Sequence, residues 1–154
     1  MREHPDHHDA ELLLRLYDLR REEKLRRARK WLTREFSAAS FDDLRQKVRS
    51  GSEEEDFVRM VLGYWDMAAS IVSHGLIKEE FFFENTNEFW IVWTKIKPLI
   101  SGMREDRKNP YLFKNLQDVA ERFEQWMAKR APEALEILRQ KLPQLSAKTP
   151  PTNG

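Results

Sequence analysis

Asp66, Ser70 and His74 stand at i, i+4 and i+8, so an acid, a hydroxyl and an imidazole share one line if this stretch is helical. By type they are an orienting acid, a nucleophile and a base. Their spacing argues against that use. Side chains four residues apart on a helix lie about 6 Å from each other. Asp66 and His74 are then two turns, about 11 Å, apart, stacked in series and not convergent. No glycine-rich turn follows Ser70 to supply an oxyanion hole. The expectation is a polar seam, running through Arg59, Asp66, Ser70 and His74, that hydrogen-bonds to a neighbouring helix. Asn85 and Glu88 are candidates for its far side, and Asp66 is expected to take a donor from another element.

Three further groups have residue types that could carry chemistry. His4, His7 and His8 lie on a polar N-terminal segment with nothing to orient them as ligands, so no metal is expected there. Glu84, Asn85, Asn87 and Glu88 cluster at a helix start, but the Glu-x-x-His repeats of a di-metal bundle are missing. No phosphate-binding loop, dinucleotide fingerprint or HExxH is present, and no cofactor is expected. Residues 20–34 are strongly basic; Arg20, Lys24, Arg26, Arg27, Lys30 and Arg34 form a candidate patch for phosphates. The competing reading is a solvated face paired with acids such as those of residues 53–56. The net charge of +1 gives no global attraction to polyanions and argues against nucleic acid.

The element that must position the seam is residues 52–75. Ser52 with Glu55 is a capping box, the acids at 53–56 suit a helix start, and Gly75 suits a helix end. Apolar residues, Trp65 among them, cover most of its circumference, which predicts a central helix with neighbours on most sides. Upstream, Asp9 is expected to cap one long helix to about residue 35. That helix carries two apolar stripes on nearly opposite sides. Leu14, Leu25, Ala28 and Leu32, flanked by Tyr17 and Trp31, should dock on the central helix. Leu12, Leu16 and Leu19 are left as a candidate interaction face for a protein partner or a second copy of the chain.

Short helices are expected at 41–49, opened by Ser40 and Asp43, and at 78–83, where Phe81, Phe82 and Phe83 close one end of the core. Asn85 with Glu88 should cap a helix to about 106, kinked by Pro98. Asn109 and Pro110 should open another to about 129. Pro132 should start a last helix that Pro143 ends. No hairpin signal or sustained alternation occurs. The fold class is all-α: an antiparallel bundle of four long and two or three short helices, with tails at 1–8 and 146–154 around a single domain at 9–145.

At 154 residues the chain can bury roughly 68–70% of its unfolded surface without staples. The absence of cysteine excludes disulfides and suits the cytoplasm. No apolar run reaches a membrane span, and the first residues are not of signal-peptide type.

The segments GYWDMAASIVSHGLIKEEFFFENTNEFW, WTKIKPLISGMRE, NPYLFKNLQDVAERFEQW and AELLLRLYDLRREEKLRRARKWL resemble a bacterial family of small helical proteins carrying a domain of unknown function. That resemblance implies a compact helical domain and carries over no catalytic residue. The expected function is therefore a non-enzymatic protein-interaction module, with a homodimer as one form. A polyanion binder through residues 20–34 and an enzyme at the 59–74 seam are the alternatives.

Overall fold

Apolar residues at three- and four-residue spacing, closed by polar caps, give a chain of helices in the computed structural model, which describes residues 5–146 and side chains to 142. In order these are α1 (His7–Leu19), α2 (Glu23–Arg34), α3 (Phe41–Lys47), α4 (Glu53–Ser73), α5 (Glu79–Asn85), α6 (Glu88–Ile96), α7 (Ile100–Asp106), α8 (Lys114–Arg130) and α9 (Pro132–Ser146), with a 3-10 turn Lys97–Leu99 between α6 and α7. The described residues contain no strand. Residues 1–4 and 147–154, expected as parts of the tails, lie outside the described residues.

α4 packs on α2 and α8, and α6 joins both. Ser52 Oγ accepts the Glu55 N–H at 3.2 Å, and Gly75, at φ +76, ends the turn after α4. Phe57, Val58, Val61, Leu62, Tyr64, Trp65, Ala68, Ala69 and Val72 are buried, the enclosure that an apolar circumference demands. Phe82, Phe83, Phe89, Phe123 and Trp126 form a contiguous ring cluster at one end, with centroids 5.0–6.1 Å apart along its chain of contacts. On the far side α3 meets α7 so closely that a Cβ on Gly102 would lie 2.5 Å from Phe41 Cβ.

Several boundaries differ from expectation. The long first helix is two helices. Glu22 accepts the N–H groups of Lys24 and Leu25, each at 2.9 Å, and so starts α2 with neither Gly nor Pro to mark the break. α1 begins earlier, at an Asp6 and Asp9 capping box. Pro98 replaces a kink with the 3-10 turn, because it cannot donate to the ladder. Asn109 does not cap α8; its Oδ1 accepts the Tyr111 N–H at 3.0 Å in a turn, and Phe113, at φ +56, precedes Lys114. Asn85 closes α5 by donating to the Phe81 carbonyl at 2.7 Å. α9 continues past Pro143, where a proline in the last turn forfeits a single bond.

Trp65 is 1% exposed. Trp65→Ala is expected to lower unfolding free energy by about 3–5 kcal/mol in denaturant melts, as truncation of large core aromatics does.

Candidate functional site

The residues singled out in sequence do not converge on one site. Arg59 is exposed and pairs with Asp56 at 2.5 Å, beside a groove between α3, α4 and α7. Asp66 Oδ1 accepts the Leu116 N–H at 3.0 Å. Leu116 is the third residue of α8, whose own cap position offers no side-chain acceptor, so a carboxylate from α4 caps α8 from outside. Burial raises the Asp66 pKa from its ordinary value, opposed by that N–H. His74 Nδ1 lies 2.7 Å from the Ser70 carbonyl and 3.4 Å from Ser70 Oγ, so the ring is engaged chiefly with its own helix end. Asp66 is engaged with α8 and bonds to neither residue. The triad geometry is absent.

Asn85 and Glu88 belong to a different place, on the α1 side of α4. Glu88 Oε1 and Oε2 accept from Arg29 Nη2 and Nε at 3.0 and 2.6 Å, the bidentate arrangement that a guanidinium makes with a carboxylate. Glu88 Oε2 also accepts from Trp65 Nε1 at 3.1 Å. Arg29 Nη1 donates to the Arg20 carbonyl at 3.0 Å, at the end of α1. In the sequence Arg29 is one cation among the many of residues 20–34. Its spacing from Leu25, Ala28 and Leu32 puts it on the buried stripe of α2, a signal that could have separated it from its exposed neighbours.

Above this network lies a cleft of about 170 Å³, with Leu13, Leu16, Tyr64, Trp65 and Phe82 forming its apolar lining. Arg20, Asn85 and Thr86 supply its polar rim, and Leu14 and Tyr17 form its lip. Tyr64 donates its hydroxyl to the Leu16 carbonyl, which fixes α1 over α4. Burial pushes the Tyr64 hydroxyl up to about 12, so it stays a donor through the ordinary pH range. Arg20 Nη1 donates to Thr86 Oγ1 at 3.3 Å, and the guanidinium carbon stands 4.5 Å from the Tyr17 ring centroid and 5.8 Å from that of Trp65.

The leucines of α1 are arranged otherwise than expected. Leu16 is core at 5% exposure and Leu12 packs against the core, whereas Leu14 is 65% exposed, Tyr17 51% and Leu19 50%. The break at residues 20–22 is the cause: α1 and α2 turn independently, so a face projected through one continuous helix is wrong for half of it. Leu12, Leu16 and Leu19 therefore do not make one exposed face, and Leu14 does not dock on α4.

A family model described as a domain of unknown function (DUF4760) matches residues 5–123. The chain belongs to this family. No curated protein and no solved structure matches it. The DUF4760 match spans every residue of the cleft and of the Arg29, Glu88 and Trp65 network, and stops within α8, short of α9. No helix among the described residues of this DUF4760 chain is long and apolar enough to cross a membrane.

Of the basic patch, Lys24, Arg26, Arg27, Lys30 and Arg34 are exposed along α2, while Arg20 belongs to the cleft. Arg27 pairs with Glu53 at 2.8 Å, one of the acids expected to answer this patch.

At the other end of α2, Lys95 Nζ donates to the carbonyls of Leu32, Thr33 and Phe36 at 2.9, 3.1 and 2.5 Å, a cap supplied by α6. Burial lowers its pKa from 10.5 to about 8. Between those values the unfolded chain keeps a proton that the folded chain has released, so stability should rise with pH. The expected outcome is that wild type gains stability relative to Lys95→Met from pH 8 to pH 10.5, with a constant offset below pH 8, in parallel urea titrations.

Proposed function

We propose that this chain is a docking module that recognises another protein through the cleft beneath α1. The carrying observation is Leu14 and Tyr17, two large apolar side chains left more than half exposed at the lip of an apolar cleft. Scattered exposed leucines need no explanation, but adjacent ones that continue an open apolar hollow are the anatomy of a contact surface. The size supports the same reading. Small-molecule sites span roughly 300–1,000 Å³, whereas about 170 Å³ suits a single anchoring side chain of a partner. The chain has no cysteine, and the cytoplasm is the compartment this reading assumes.

A second reading, a polyanion binder, rests on Arg26, Lys30 and Arg34, which stand one turn apart, exposed, and without an acidic partner among the described residues. The overall charge balance favours the cleft.

The docking reading is tested by selecting displayed random peptides on the immobilised protein. The expected outcome is enrichment of peptides sharing one large apolar anchor, with binding lost on Leu14→Glu, a variant whose exposed position leaves folding intact. Absence of enrichment, or equal binding to Leu14→Glu, would overturn it.

A further inference from the structure

We propose that the occupant of the α1 cleft is an apolar side chain with a carboxylate directly beside it on the partner, and that Arg20 reads the carboxylate. This rests on the docking reading and specifies its partner.

The inference comes from a charge imbalance at the cleft. Arg20 stands on its rim, no carboxylate among the described residues lines it, and in the network beneath it Glu88 is already taken in bidentate fashion by Arg29. No carboxylate lies within ion-pair distance of Arg20 among the described residues. Its bond to Thr86 uses one of five N–H donors. Arg20 is half-buried, and the rings of Tyr17 and Trp65 flank it, so its charge is partly shielded from water and its position is held by packing. A guanidinium held in this way against aromatic rings keeps its planar fork ready for a bidentate acceptor. The other rim groups add no negative charge. Asn85 spends its amide N–H on the Phe81 carbonyl, which leaves its side-chain oxygen as an acceptor, and Tyr64 spends its hydroxyl on Leu16.

The same imbalance selects a different protein over a second copy of this chain. A two-fold interface centred on the cleft would set Arg20 against its own copy, and like charges brought together at an interface oppose it. An acidic partner segment with an aromatic or leucine anchor meets both the apolar lining and the surplus cation.

Two small probes separate the charge from the pocket. Indole-3-acetate carries an aromatic ring and a carboxylate; indole-3-acetamide keeps the shape without the charge. Each is titrated into isotope-labelled protein, following the Trp65 indole N–H and the Thr86 amide by NMR. A charge-assisted contact is worth about 1.5–3 kcal/mol, so the acetate should bind wild type at least about tenfold more tightly than the amide. In Arg20→Gln that preference should vanish, with the amide bound as before. In Arg20→Lys, which keeps the charge without the fork, part of the preference should return. Equal binding of the two probes to wild type would overturn the role of Arg20 and leave the docking reading standing. If neither probe perturbs the cleft resonances, the cleft is not an anchor pocket and both fall. Concentration-dependent shifts of the same resonances without any probe would show self-association there, and would overturn the acidic-partner assignment.

Discussion

The carboxylate of Glu88 is the point through which four helices are tied together. It stands on α6, accepts a bidentate pair from Arg29 of α2 and a third bond from Trp65 of α4, while Arg29 also holds the last carbonyl region of α1. Both charged side chains are about four-fifths withdrawn from solvent. A charge so placed is tolerated only when its lone pairs and donors are all met, and removing one partner strands the other. The network therefore fixes the angle at which the chain turns from α1 to α2. That turn, in turn, leaves Arg20 over the cleft and Leu14 and Tyr17 at its lip.

The helix ends follow a related rule. At three helix ends a side chain from another element supplies the cap. Asp66 of α4 caps the start of α8, Lys95 of α6 caps the end of α2, and Asp9 of α1 accepts the Lys78 N–H at the start of α5 at 2.7 Å. Each joins regions distant in sequence, so helix boundaries and packing are specified together. Asp9 is 0% exposed, which marks its capping role as structural as well as local. The polar residues that looked like chemistry in sequence are largely absorbed by this work: Asp66 by α8, and Ser70 and His74 by the end of α4.

The sequence was most legible where caps and periodicity agreed. α4 could be delimited because Ser52, the acids after it and Gly75 all mark the same ends. The all-helical class followed from the same agreement. It was least legible where a boundary depends on long-range contacts. No Gly or Pro ends α1; Glu22 starts α2 locally, but the turn at residues 20–22 is also held by Arg29 and by Arg20 against Trp65, contacts that a local pattern does not show. Yet the two opposed apolar stripes were themselves evidence of the break: one helix with two faces out of phase can be two helices with one face each. The cleft was invisible for the same reason, since its lip depends on the independent rotation of α1. Glu88 and Asn85, expected on the far side of the seam, lie instead on the α1 side of α4.

The account's central claim is that the pairing of Arg29 with Glu88 acts as a unit. The most direct measurement is a double-mutant cycle on unfolding free energy with Arg29→Met, Glu88→Gln and the double variant. Each single change should cost about 3 kcal/mol, toward the lower end of values for broken buried pairs because some solvent reaches the site. The double variant should cost less than the sum of the two by at least about 1 kcal/mol. Additive losses, with coupling near zero, would contradict the claim and leave the geometry of α1 to apolar packing alone.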